Sequence, residues 1–188
     1  MNLRRILFSI AASIAIWIPA SAIAESAQNA DDRLSQAASN QQLTLAPDTK
    51  TVIASRCTAI QAQLSQLSSR TASIIKLDID TYSSVKNDLQ AIKLRLARQG
   101  VDGSEIDLLV GKMQELTDSF TVSGSVYTGT LEDIASVDCI NKPEEFMAGL
   151  VVARAQIVQL QSSANRLKQL LIDSPNTTFS QITKRLSS

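Results

Sequence analysis

Histidine is absent from all 188 residues. Without an imidazole the chain has no His metal ligand and no Ser-His or Cys-His couple in which a ring nitrogen takes the proton. Aromatic residues make up only 4% of the chain, too few for a platform on which sugars or bases stack. There is no Gly-rich phosphate loop, no C-x-x-C and no basic cluster, so P-loop, dithiol and nucleic-acid chemistry lack their signatures. An excess of either charge is missing too, with 18 Lys plus Arg against 18 Asp plus Glu. Neutral polar residues fill the gap: Ser (24) and Gln (15) together outnumber the charged residues.

One long apolar run is present, at the N-terminus. Arg4 and Arg5 precede Ile6 to Ile18, Pro19 interrupts the run, and Ala22-Ile23-Ala24 supplies an A-x-A site. These are the parts of a secretory signal, so residues 1–24 are expected to be a signal peptide cleaved between Ala24 and Glu25. An uncleaved N-terminal anchor is the alternative, since Ile6 to Ile23 spans 18 residues and a membrane crossing takes about 20. No Cys follows the run, which argues against bacterial lipid modification. Cleavage removes Arg4 and Arg5 and leaves 16 basic against 18 acidic residues, a formal charge of −2. It also removes Phe8 and Trp17, leaving Tyr82, Phe120, Tyr127, Phe146 and Phe179 as the aromatics. The mature chain has no second stretch of spanning length. Its expected place is the periplasm or the exterior, with no membrane span and no nucleic-acid partner.

Residues 25–50 hold little apolar material and no sustained period, and read as a flexible leader with at most a helical turn near Arg33 to Ala38. From Thr51 the pattern changes. Ile53, Cys57, Ile60, Leu64, Leu67, Thr71 and Ile74 alternate at four and three. After a phase shift between Ile74 and Ile79 the series resumes at Ile79, Tyr82, Val85, Leu89, Ile92 and Leu96. This predicts a helix over about 51–99, with a stammer or stutter in its heptads. Gly100-Val101-Asp102-Gly103 is the turn, and Ser104 with Glu105 is expected to cap the next helix. That helix, over about 104–140, carries Ile106, Leu109, Met113, Leu116, Phe120, Ser123, Tyr127, Thr130, Ile134 and Val137. Its middle, FTVSGSVYTGT, is poor in helix formers, and only the continuous heptad phase argues for helix there. Asn141 is expected as the next cap with Glu144 as its capping-box partner and Pro143 in the first turn. Phe146, Leu150, Ala153, Ile157, Leu160, Ala164, Leu167 and Leu171 then mark a third helix over about 142–173, ending before Pro175. Phe179, Ile182 and Leu186 keep helical spacing in the tail, 174–188, which is expected to fray rather than form a short docking helix. The fold class is all-α: an elongated, coiled-coil-like antiparallel three-helix bundle over 51–173 with one disulfide.

The two cysteines test that topology. Facing partners in a helical hairpin lie symmetrically about its turn, and the midpoint of Cys57 and Cys139 is Arg98, two residues before Gly100. Both therefore fall at one level at the open end of the hairpin, and an exported chain with two Cys is expected to join them. The same symmetry sets Ser123-Gly124-Ser125 opposite Thr71-Ala72-Ser73. Small residues face small residues there, which means either close approach of the helices or a flexible waist, with close approach expected.

Two Ser-Lys pairs, Ser73 with Lys76 and Ser83 with Lys86, match the S-x-x-K spacing of penicillin-recognising enzymes. Neither Ser-Asp-Asn nor Lys-Thr-Gly follows, and a Ser-rich helix surface produces such matches by chance. Asp78, Asp80, Glu115 and Asp118 come near one another across the hairpin and could offer oxygens to Ca²⁺. Lys76 and Lys112 neutralise that area, and Asp78 and Asp80 do not share a helix face. Asn176-Thr177-Thr178 has the N-glycosylation pattern, relevant only in a eukaryotic secretory pathway. No enzyme activity, cofactor or metal is expected.

With the signal peptide, the Cys57 to Cys139 span, the Gly100-Val101-Asp102-Gly103 turn and the helix opening Pro143-Glu144-Glu145-Phe146 in hand, the layout resembles uncharacterised exported two-cysteine helical-bundle proteins of small-genome, candidate-phylum bacteria. The resemblance covers about residues 51–173 and implies a fold without an activity. A more distant likeness is to plant secreted helical-bundle inhibitors of cell-wall enzymes, whose four cysteines this chain lacks. The expected function is a non-enzymatic exported coiled-coil module, a spacer or protein-interaction scaffold of the cell envelope or exterior. The alternative is a binder of one defined partner, such as an inhibitor or periplasmic chaperone. A protein partner is expected, or self-association through side chains such as Ile75, Leu77 and Ile79 or Val110, Val151 and Val158.

Overall fold

The computed structural model describes residues 44–186 and, before them, Gln36 alone. The expected signal peptide (1–24), its cleavage site at Ala24 and Glu25, and the leader up to residue 43 apart from Gln36 lie outside the described residues. Three helices follow in order: α1 (Pro47–Arg98), α2 (Ser104–Ser136) and α3 (Pro143–Leu186). They form an all-α antiparallel three-helix bundle, and α1 alone, at 52 residues, is about 78 Å long. The middle helix, α2, packs extensively on both neighbours, whereas the backbones of α1 and α3 approach each other at few points. None of the described helices is long and apolar enough to cross a membrane.

Helix α1 begins at Pro47, inside the stretch expected as flexible leader. Proline suits the first turn because its φ is preset and its missing N–H would have had no partner. Lys50 N donates to Ala46 O and the Thr51 hydroxyl to Pro47 O, closing that turn. Leu45, just before it, already packs against the core.

The α1–α2 turn forms as expected at Gly100, but the caps differ. Gly100 has φ +73°, the left-handed conformation glycine adopts without a β-carbon penalty. Its N–H donates to Ala97 O and that of Val101 to Leu96 O, the paired bonds of a Schellman motif. Ser104, expected as the cap of α2, is instead its first residue. Asp102 accepts from the Ser104 backbone N–H (2.9 Å) and hydroxyl (2.8 Å). The α2–α3 connection repeats the device. Asp138 accepts from the N–H groups of Ile140 and Asn141 and from the Asn141 side chain, so Asn141 is a donor to Asp138 and not the cap of α3. Those local bonds compete with helix continuation, which is why α2 stops at Ser136 and not near 140.

Cys57 and Cys139 form the expected disulfide, with α-carbons 5.8 Å apart. Because α2 ends early, Cys139 belongs to the connection. The bridge thus fastens the α2–α3 turn onto α1, and Gln61 Nε2 adds a 2.6 Å bond to Val137 O beside it.

Helices α2 and α3 keep the heptad. Met113, Phe120, Tyr127 and Ile134 are buried at seven-residue intervals, as are Phe146, Ala153, Leu160 and Leu167. The weak helix former FTVSGSVYTGT is helical throughout. Helix α1 departs from the heptad earlier than its sequence suggested. Leu67 and Ile74, expected inside, are 43% and 53% exposed, and the core runs through Ser68 and Ile75 instead. Cys57 to Ser68 and Leu64 to Ile75 are eleven-residue steps, the period of a nearly straight helix.

Ser68, only 1% exposed, is tolerated because its hydroxyl lies 3.2 Å from Thr128 O and 3.0 Å from a Glu132 carboxylate oxygen. Its small side chain lets the two helices draw together toward Gly124, where a β-carbon would stand 2.6 Å from Ile75 Cδ1. The Ser-Gly-Ser stretch is therefore a site of close packing.

The tail also departs from expectation. Helix α3 continues through Pro175 to Leu186, burying Thr178 and Ile182. Pro175 has no N–H to give the carbonyl four residues back, yet burial of Ile182 beside Leu89, Ile106, Leu109, Met113 and Leu170 holds the helix over this end of the bundle.

Candidate interaction surface

The structure disperses the residues that suggested chemistry. The Ser73 hydroxyl donates to Ser69 O at 2.9 Å, while Lys76 pairs with Asp80 at 3.1 Å, so this Ser-Lys pair is engaged elsewhere on both sides. Lys86 donates to Gln114 Oε1 at 2.6 Å. The cleft it shares with Ser83 measures only about 120 Å³. Of the four carboxylates, Asp80 is held by Lys76 and Asp118 accepts from Gln114 Nε2. Among the described residues no group of three His, Cys, Asp or Glu side chains is placed to hold a metal ion.

Asp78 stands apart from these. It sits on the core side of α1 beside Tyr82, and burial raises its carboxyl above the ordinary carboxylate value. Burial also raises the Tyr82 phenol, with the Asp78 charge as a second cause. The Tyr82 ring meets Phe120 edge to face, centroids 6.1 Å apart, where the two halves of the core adjoin.

At the other end, Lys50 Nζ lies 2.6 Å from Glu144 and ties the start of α1 to that of α3. This contact, followed by bonds from backbone N–H groups, lowers the Glu144 carboxyl below its ordinary value. Asp138 is lowered as well, first by the hydrogen bond from the Asn141 side chain.

What remains is surface. Ile75 is buried and Ile79 half-buried, leaving Leu77 exposed; Val110 is half-buried, while Val151 and Val158 are exposed. Of the two sets expected for self-association, the first therefore presents Leu77 alone, while the second keeps Val151 and Val158 exposed seven residues apart on α3.

Two concavities lie elsewhere, along the groove between α2 and α3 near the hairpin end. Two open lobes of about 460 and 510 Å³ share Lys112, Leu170 and Ser174. Leu109, Leu116 and Leu170 floor the groove, and Leu108, 75% exposed, stands on its α2 side.

Compared with protein-family models, curated proteins and solved structures, the chain matches none.

The charges along this groove are incompletely matched. Lys112 on α2 and Arg166 on α3 line the same lobe, and neither has a hydrogen-bond or ion-pair partner among the described residues. Glu115 is likewise unpaired, whereas Glu105 and Asp173 are engaged. The heptad reading passed over this site because it placed Leu171 in the core, where the structure buries Leu170 more deeply. Leu108 gave the available signal. It lies two residues after Ile106 and one before Leu109, so helical periodicity leaves it outside.

Proposed function

We propose that the chain is an exported, non-catalytic helical module that works by holding or bridging proteins in the cell envelope or outside the cell. The observation that carries the reading is a long three-helix rod cross-linked by a buried disulfide, whose reactive-looking side chains are bonded to their own helix or its neighbour. A disulfide persists in an oxidising compartment, which agrees with the export signal read at residues 1–24. Among the described residues Ser73, Lys76 and Lys86 of the two S-x-x-K pairs are engaged with other groups, and the reading assigns the work to the surface of the rod.

Binding of one defined partner is the second reading, and the groove between α2 and α3 favours it. Affinity purification from envelope extract separates the two. One stoichiometric partner supports the binder, several support the scaffold, and an elongated chain recovered with none removes both. The mass of exported protein measured without reductant checks cleavage after Ala24 and the disulfide together.

A further inference from the structure

We propose that two copies of the chain pair antiparallel along an exposed face of α1, with a two-fold axis near Ala72. The pairing goes beyond the reading of the chain as an interaction module and stands or falls independently of it.

Periodicity supplies the seam. Stepping four and three residues alternately from Arg56, the positions run through Leu67, Arg70, Ile74 and Leu77 to Asp88 and form one stripe beside the core face of α1. Leu67, Ile74 and Leu77 are 43%, 53% and 66% exposed, because α1 turns Ser68 and Ile75 into the core beside them. The alternation from Arg56 to Asp88 reads the same from either end. An antiparallel copy therefore matches it layer for layer, with Leu67 of each copy on Leu77 of the other.

Charge selects a second copy as the occupant. Six exposed side chains of α1 have neither a hydrogen bond nor an ion pair among the described residues: Asp48, Arg56, Arg70, Asp88, Arg95 and Arg98. Arg56 and Asp88 lie sixteen residues either side of Ala72, and Asp48 and Arg95 are within one residue of equal distance from it. Antiparallel pairing thus sets each of these cations against a carboxylate of the other copy, whereas parallel pairing sets Arg56 on Arg56 and Asp88 on Asp88. Arg98 falls beyond the start of the other copy's α1, and Lys76 already neutralises Asp80 on its own helix. Arg70 alone stays unmatched, near the axis, where its aliphatic stem lies along the seam and its head reaches solvent.

The size of the contact sets its strength. From Arg56 to Asp88 the seam is about 50 Å long, and a strip about 10 Å wide covers about 500 Å² on each copy. About 1,000 Å² in total is the lower edge of specific interfaces, so the dimer is expected to dissociate in the micromolar range.

The test uses the exported protein with its disulfide intact, followed by sedimentation from about 5 to about 500 µM, which brackets micromolar dissociation constants. Reversible dimerisation is expected, and Leu77→Asp should weaken it about tenfold or more, since the substitution enters two apolar contacts. Arg56→Glu alone and Asp88→Arg alone each turn two ion pairs into like-charge contacts and should weaken it about fivefold or more. Mixed in equal amounts, these two variants should dimerise about as tightly as the parent, because each supplies the charge the other lacks. All three positions are exposed, so an unchanged melting curve in dilute solution confirms that the variants fold. A monomer throughout the concentration range overturns the proposal. So does a dimer indifferent to Leu77→Asp, or a mixture no tighter than the single variants. A dimer dissolved by Val158→Asp and not by Leu77→Asp moves the contact to α3 and overturns it too. The module reading is judged separately, by the affinity purification.

Discussion

Gly124 of α2 lies against Ile75 of α1 so closely that a β-carbon on the glycine would be 2.6 Å from Ile75 Cδ1 and 3.3 Å from both its γ-carbons. Gly124→Ala gains up to about 1 kcal/mol of helix propensity but forces a β-branched neighbour with one favoured rotamer to move. Overpacking of this kind costs about 1–3 kcal/mol, so the variant should be less stable by about 1 kcal/mol in denaturant unfolding. Adding Ile75→Val removes Cδ1, and the double variant should then be more stable than Gly124→Ala alone. Gly129→Ala is the control, with nothing within 4 Å of its new carbon, and should stabilise by up to about 1 kcal/mol.

The departure of α1 from the heptad is tested by two neighbouring leucines. Leu64→Ala empties a buried site and should cost about 2–5 kcal/mol. Leu67→Ala, at a side chain nearly half exposed, should cost under about 1 kcal/mol. Equal losses in urea unfolding would restore the heptad register and contradict the structure.

The disulfide closes a sequence separation of 82 residues. Replacing both Cys57 and Cys139 with Ser should lower unfolding stability by about 4–5 kcal/mol on the chain-entropy account. Intact protein with and without reductant, followed by circular dichroism during heating, should reproduce the same gap.

Acid should loosen the α2–α3 connection. The folded-state carboxyls of Asp138 and Glu144 are lowered, so their stabilisation is complete above the unfolded value of about 4 and is lost as pH falls through the folded values. Asp138→Ala should therefore lower Tm at neutral pH by about 2–4 °C, the scale of a lost cap in a chain of this size. The difference from the parent protein should shrink as pH falls through the lowered folded-state value of Asp138.

Asp78 should behave in the opposite sense. Its folded-state carboxyl is raised by burial, so its contribution falls as pH rises from the unfolded value through the folded one. Asp78→Asn should raise Tm at pH 7 by up to about 2 °C and leave it unchanged in acid below both values. It should also bring the Tyr82 phenol back toward its ordinary value, read from tyrosinate absorbance.

Much of the bundle was legible because apolar periodicity and the position of the turn are properties of one chain at a time. The Phe146, Ala153, Leu160 and Leu167 series and the Gly100 turn needed no knowledge of neighbours. What escaped depends on the neighbour. Choosing Ser68 over Leu67 requires the Thr128 carbonyl and the Glu132 carboxylate on α2. Continuing α3 past Pro175 requires the cluster that buries Ile182. Both turns were located by glycine and proline, but their Asp102 and Asp138 acceptors act across two or three residues that a capping-box search skips. The charged groove was hidden for the same reason, since Lys112 and Arg166 are 54 residues apart and meet only when α2 and α3 pack.

The bridge between Cys57 and Cys139 has a mechanical consequence. Tension applied between the two ends of the chain passes from Cys57 directly to Cys139 and bypasses everything between them. Most of α1 and the whole of α2 would hang from that shortcut as an unloaded loop, while α3 carries the full pull. Stretched between two attachments, the molecule would lengthen first by peeling α3, and its hairpin would keep its shape until the sulfur bridge was cut.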